Sequence, residues 1–412
     1  MCRCLKWLLL FWPLLDSALA QEWSRFRGPN GSGESEAAGI PTTWADRDYL
    51  WRVKLAGQGH SSPVVWANRV YITAADAEDA SQLVYCLDSA SGTLVWRKQF
   101  PSKRRPKNPL NSFASSTPAV DAERIYVTWA TDQQYVLVAL RREDGQEEWR
   151  RDFGPLVAEH GFGASPIVYG DLVIVPNDQD GESRVTAVEC ATGKTRWATQ
   201  RRSRKAGYST PIVYTPPGGQ AEIILTSWAD GLSSLDPRTG AVRWELDVLT
   251  HRTVGSPVIA GGLVFAACGE GGGGKKMVAV RPGDPDKKVE AKVAYEVEGK
   301  LPYVVTPVAR GNLLFLWSDQ GIVTCLDALT GKRLWQERVP GKFFGSPVRA
   351  GERLYCISST GTAVVLAATD QYRLLGQVDL GEPSQSTPAI AGGVMYLRTK
   401  SQVMAIGART SR

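Results

Sequence analysis

Runs of five to seven almost uninterrupted apolar residues, each closed by a short polar break, repeat along nearly the whole chain. The run RVYITAA at 69–75 returns as RIYVTWA, DLVIVPN, EIILTSW, GLVFAAC, NLLFLWS, RLYCISS and VMYLRTK. β-Branched and aromatic residues dominate these runs and leave no polar face, which is the pattern of strands covered on both sides. No useful length of chain after residue 20 has the spacing of an amphipathic helix. A Ser or Thr followed by Pro opens each unit, at Pro63, Pro118, Pro166, Pro211, Pro257, Pro307, Pro347 and Pro388.

The first unit divides into SPVVW (62–66), RVYITAA (69–75), QLVYCLD (82–88) and TLVWRKQ (93–99). Eight openings at intervals of roughly 40 to 55 residues, each heading four short strands, predict an all-β fold. The architecture expected is an eight-bladed β-propeller of four-stranded antiparallel blades. The last unit, 387–407, supplies three strands, which would leave an open edge. DYLWRVKL (48–55) precedes the first opening and reads as the missing fourth strand, so an N-terminal strand is expected to close the ring. The expected divisions are an export signal at 1–20, an extended segment at 21–47, the propeller at 48–407 and a tail at 408–412.

A second recurring word, SLDPRTGAVRW at 234–244, has close copies at 86–96, 187–197 and 325–335. Its Asp can bond nearby backbone amides, and its Gly can take the positive φ of a tight hairpin. The Trp that ends it falls on the outermost strand. Trp96, Trp149, Trp197, Trp244 and Trp335 stand in register, with Trp51 at the closing strand, and each is expected to dock one blade on the next. Units five and seven lack this Trp, so their interfaces are expected to be less regular.

The formal charge is +6. Arg3 and Lys6, the apolar run 8–15 and Ala18-Leu19-Ala20 have the form of a cleaved export signal. A soluble periplasmic or extracellular protein is expected, monomeric and not membrane-spanning. Beyond the signal, Cys86, Cys190, Cys268, Cys325 and Cys356 are odd in number and far apart in sequence, so buried free thiols are expected.

The pattern Ala-x-Asp-x-x-Thr-Gly-x-x-x-Trp, best seen at Ser234-Leu235-Asp236, Thr239-Gly240 and Trp244, resembles the repeat of pyrroloquinoline-quinone (PQQ) dehydrogenases and their non-enzymatic relatives. WSRFRGPNGSG (23–33) and GHSSPVV (59–65) resemble exported bacterial PQQ-like repeat proteins. The resemblance covers about residues 21–407 and implies a propeller. It also implies one of two functions. The dehydrogenases hold PQQ and Ca²⁺ on the axis against a pair of adjacent cysteines, which this chain lacks. The expectation is therefore a non-catalytic scaffold without cofactor, and the alternative is a minimal PQQ- and Ca²⁺-dependent quinoprotein oxidising alcohols or sugars.

Loops entering the innermost strands gather on one face of a propeller, where repeat folds carry function. His60, His160 and His251 lie there in units one, three and five, too widely distributed for one metal ion. KQFPSKRRPKNP (98–109), with Arg104 and Arg105, and RRSRK (201–205), with Arg201 and Arg202, make either a cationic surface or a solvated face. Phe113, Phe162, Tyr208, Tyr303, Phe343 and Phe344 precede openings and either line a groove or cap the core. CGEGGGGKK (268–276) lacks the Gly-Lys-Ser/Thr and helix of a phosphate loop and is expected to be a flexible hairpin loop. No catalytic constellation stands out. The partner expected is another protein or an acidic envelope polymer, and not nucleic acid.

Overall fold

The computed structural model describes residues 22–407, so the export signal expected at 1–20 lies outside the described residues. Eight four-stranded blades follow one another in chain order around an axis, and within each the strands run antiparallel from the innermost outward. Blade one comprises Val64–Trp66, Arg69–Ala75, Gln82–Asp88 and Leu94–Phe100. The two middle strands are buried almost throughout, while the outermost alternates buried and exposed positions. The apolar runs are thus the middle strands, covered by the neighbouring blade on either side. Among the described residues the helical segments are single 3₁₀ turns, and no helix is long and apolar enough to cross a membrane.

The Ser/Thr-Pro word has its partners in the adjacent blade. The Ser62 amide donates to Thr117 Oγ1 (2.9 Å) and the Thr117 amide to Ser165 Oγ (3.0 Å). The relay resumes with Thr210 to Ser256 (3.0 Å), Ser256 to Thr306 (2.9 Å), Thr306 to Ser346 (2.9 Å) and Ser346 to Thr387 (2.9 Å). Each hydroxyl satisfies an amide that lies before the innermost strand and outside its ladder, and does so across the blade boundary.

Five of the outer tryptophans reach the next blade. Indole Nε1 groups donate to turn carbonyls of the following blade: Trp51 to Ser89 (2.9 Å), Trp96 to Arg142 (3.1 Å), Trp149 to Cys190 (2.9 Å), Trp197 to Pro237 (3.0 Å) and Trp335 to Thr369 (3.0 Å). Burying each indole contributes about 4 kcal/mol. The turn glycine has a second duty besides its positive φ. A Cβ on Gly240 (φ 74°) would lie 2.5 Å from the Trp197 ring, and Gly92, Gly145 and Gly193 are covered in the same way by Trp51, Trp96 and Trp149. The Gly and Trp of one word therefore face opposite neighbours.

Trp244 departs from this pattern. Its ring joins the apolar cluster of blade five, but its Nε1 donates back to the fully buried Glu222 of its own blade (2.8 Å), which also takes Arg243 Nε (2.7 Å). In unit five Tyr295 replaces the indole and its hydroxyl reaches the Ala328 carbonyl (2.5 Å), so that interface is more regular than the missing Trp implies. In unit seven the chain passing through Thr42 packs on Gly376. All five described cysteines are buried and free. The glycine-rich stretch of unit five is mostly strand, Leu263–Glu270 pairing with Gly273–Arg281.

Tyr49–Lys54 pairs antiparallel with Gln402–Gly407 and completes blade eight, so the N-terminal strand closes the ring. The preceding residues cross the axis. Trp23 exchanges backbone bonds with Val65 of blade one (2.9 Å each), and the Ser24 carbonyl accepts from Val120 of blade two (2.8 Å). Asn30 brackets the backbone of Val213 in blade four (2.6 and 2.7 Å), and Glu34–Ser35 runs parallel to Val348–Ala350 of blade seven. The segment seals one end of the channel. Its buried guanidiniums take the carbonyls beside the opening words: Arg25 binds that of Pro211, and Arg27 those of Pro307 (2.6 Å) and Pro347 (2.7 Å).

Candidate functional site: an axial cavity on the loop face

Connections between blades and bends between second and third strands meet on the face opposite the seal. They enclose an axial cavity of ≈ 660 Å³ whose lining includes Phe26 of the sealing segment. The cavity is therefore blind, open only toward the loops. The connection at 101–118 is the most elaborate. Its Asn111 Nδ2 donates to the carbonyls of His160 (2.8 Å) and Phe162 (3.2 Å), and the Ala114 carbonyl accepts from the His60 amide (3.0 Å).

His60 and His160 both line the cavity. Burial pushes the His60 imidazole down to about 3, with Arg398, Lys107 and Lys400 adding repulsion, so the ring is neutral. His251 lies behind the wall. It stacks on Trp228 (centroids 5.7 Å), its Nδ1 is 2.9 Å from Thr250 Oγ1 and its Nε2 is 3.4 Å from Glu270.

Of the four arginines singled out, three face carboxylates of their own chain. Arg105 is buried with Nε 3.4 Å from Asp132 and Nη2 donating to Leu156 and Ala158 carbonyls (3.3 and 3.2 Å). Arg201 is buried between Asp178 (2.7 Å) and Asp230 (3.4 Å), and Arg202 binds Asp230 (2.8 Å) and Glu245. Burial holds the Asp178 carboxyl above its usual range even beside Arg201. Arg104 is exposed and reaches the Ala77 carbonyl (3.3 Å). Phe344 lines the cavity with Tyr208 and Tyr303, whereas Phe343 is fully buried against Trp317 (5.2 Å) and belongs to the core.

The lining also takes Phe26 of WSRFRGPNGSG, Trp228 at the end of EIILTSW, and Arg252, which belongs to no motif. Arg252 is buried, with Nη2 3.4 Å from Glu159, which also meets Lys205 (3.3 Å). Asp319 accepts from the Tyr303 and Val304 amides (3.2 and 3.0 Å) and from Lys275 (3.1 Å). The cavity carboxylates are thus already engaged, and among the described residues no three His, Cys, Asp or Glu side chains come together as metal donors. No cysteine lines the cavity. This donor set does not fit a calcium-bound quinone.

The family model described as "Outer membrane protein assembly factor BamB" matches residues 80–303 and 296–412. The chain belongs to this family. It is a PQQ-like β-propeller protein. A curated relative, outer membrane protein assembly factor BamB of Yersinia pestis, is 22% identical over 285 residues, covering 65% of this chain and 68% of its own length. Among solved structures, BamB from Moraxella catarrhalis superposes with a TM-score of 0.63 at 14% identity, over 88% of this chain and 98% of that one. The quinohemoprotein alcohol dehydrogenase from Comamonas testosteroni gives 0.66 at 12% identity, over 95% and 82%. At such identities the two structures establish the fold and no activity.

Proposed function

We propose that the protein is an exported, non-catalytic scaffold that holds another protein of the cell envelope on its loop face. Membership of the BamB family over 80–412 carries this reading, since the matched family model and the Yersinia pestis relative bear the name of an outer membrane protein assembly factor. The loop face supports it. Leu110 and Val157, 52% and 53% exposed, project from successive blade connections. The two connections are tied together by the Asn108 amide donating to the His160 carbonyl (3.2 Å). Solvent-exposed aliphatics on a braced rim suit a protein surface better than they suit a small polar ligand.

A photoactivatable residue placed at 110 or 157 is expected to yield one discrete adduct with an envelope protein. The same residue at Val242, exposed on the outermost strand of blade four, is expected to yield none. Adducts formed only from 242 would refute the loop-face assignment. Addition of PQQ with Ca²⁺ is expected to leave the melting temperature unchanged. A rise of several degrees would instead favour a quinoprotein.

A further inference from the structure

We infer that the axial cavity binds a small oxyanion: a phosphate, sulfate or carboxylate group, free or carried on a compact ligand. This goes beyond the scaffold reading and needs no protein partner. The first argument is the balance of donors and acceptors around the axis. Thr117, Ser165, Thr306, Ser346 and Thr387 line the cavity, and each hydroxyl oxygen accepts an amide of the preceding blade. None of these five O–H groups has an acceptor among the described residues. Thr210 Oγ1 makes no bond within the protein and is not sealed off from the cavity it lines. Carbonyls beside the ring that could have taken such protons are already held. Arg25 binds that of Pro211, and Arg27 those of Thr306 (3.3 Å), Pro307 (2.6 Å) and Pro347 (2.7 Å). The ring is therefore rich in donors, and an oxyanion, which only accepts, is its complement.

The second argument is charge. Three carboxylates of the lining, Glu159, Glu270 and Asp319, are matched by three of its cations, Lys205, Arg252 and Lys342. Directly behind the wall stand three buried arginines with no carboxylate paired to them among the described residues. Arg25 and Arg27 flank Phe26 in the sealing segment, and Arg398 donates to the Ser61 carbonyl (2.9 Å) between the lining residues His60 and Ser62. Burial lowers Arg25 and Arg398 to about 9, so both stay charged at neutral pH. Glu34 acts on Arg27 but is itself bonded to Arg349 (2.7 Å). Lys107 and Lys400 add to Arg398 in repelling a proton from His60, so the side of the cavity at blades eight and one is positive. Buried charge is weakly screened and costly without a counter-ion. An anion in the cavity offsets it.

The third argument is access. The cavity, ≈ 660 Å³, lies within the range of small-ligand sites and opens toward the loops. Lys342 is exposed at its rim, and no carboxylate among the described residues takes its ammonium. A cation so placed draws an anion toward the mouth. No reaction on the ligand is implied.

The test is calorimetric titration of the full chain, in Tris buffer at neutral pH, with sodium phosphate, sodium sulfate and sodium citrate, and with maltotriose as the uncharged control. At least one of the three oxyanions is expected to saturate at one per chain, with affinity that falls as sodium chloride is raised. Preference for phosphate or sulfate would mark an inorganic or ester group as the ligand, and preference for citrate a carboxylate. Thr210→Val, which keeps the shape and removes a hydroxyl that bonds nothing in the protein, is expected to weaken binding about tenfold. Lys342→Gln is expected to weaken it about threefold and to flatten the salt dependence. Unchanged melting temperatures would show that both variants still fold, and a variant that melts early is replaced by Lys400→Gln. Failure of all three oxyanions to bind would overturn the inference, as would binding of maltotriose alone, or undiminished binding by both variants. Crosslinking from residues 110 and 157 has a separate readout, so either result can fail without the other.

Discussion

Arg27→Leu is expected to destabilise the folded protein by about 4 kcal/mol, read as a lower urea midpoint with an unchanged slope. Arg27 is fully buried in the channel, and burial lowers its guanidinium to about 10. It donates to carbonyls of Gly31 (3.2 Å), Ser32 (3.0 Å), Thr306 (3.3 Å), Pro307 (2.6 Å) and Pro347 (2.7 Å). Removing the charge relieves a desolvation penalty, which alone would stabilise. The larger effect is on the acceptors. Carbonyls of blades six and seven and of the sealing segment would be left in a dry channel, and an unmade buried acceptor outweighs the lost interaction itself. Arg27→Lys is expected to recover only part of the loss, because a compact ammonium cannot span carbonyls on two blades as a planar fork does. A midpoint unmoved by Arg27→Leu would mean that the segment does not occupy the channel.

The second large effect is on pH dependence. His60 sits at about 3 in the folded chain against 6.5 for an unperturbed imidazole. Below 6.5 the unfolded chain therefore binds a proton that the folded chain refuses, and stability is lost as pH falls from 6.5 toward 3. By pH 4 this amounts to about 3 kcal/mol. Carboxylates titrate over part of the same range, so the diagnostic quantity is a difference. His60→Gln is expected to gain about 3 kcal/mol relative to the wild type between pH 7 and pH 4 in urea unfolding. Parallel stability curves for the two proteins would place His60 in a solvated, chargeable setting.

Legibility in the sequence followed the range of the interactions. The middle strands could be read because burial on both faces writes itself into consecutive residues, as in Arg69–Ala75. The docking tryptophans could be read because Asp, Gly and Trp of one word lie within a dozen positions, although Gly240 turned out to serve Trp197 of the preceding blade. The Ser/Thr-Pro word showed its period but not its purpose, since each hydroxyl meets an amide a whole blade away. WSRFRGPNGSG has no strand or helix periodicity, and Arg27 finds its partners some 280 to 320 positions later, so its place as a channel seal was invisible. The basic clusters misled for a related reason. Arg201 stands among like charges in sequence, but folding brings it Asp178, just past the second strand of its own blade, and Asp230 from the next blade. Trp228 reads in sequence as the end of the apolar run EIILTSW, and Arg252 carried no signal beyond lying on a connection.

Backbone hydrogen exchange followed by mass spectrometry on the full chain tests the ring and its N-terminal closure most directly. Peptides covering 23–35 and 49–54 are expected to exchange as slowly as their partners at 348–350 and 402–407. Fast, unprotected exchange of the two N-terminal peptides, with the rest of the ring protected, would contradict both the closing strand and the channel seal.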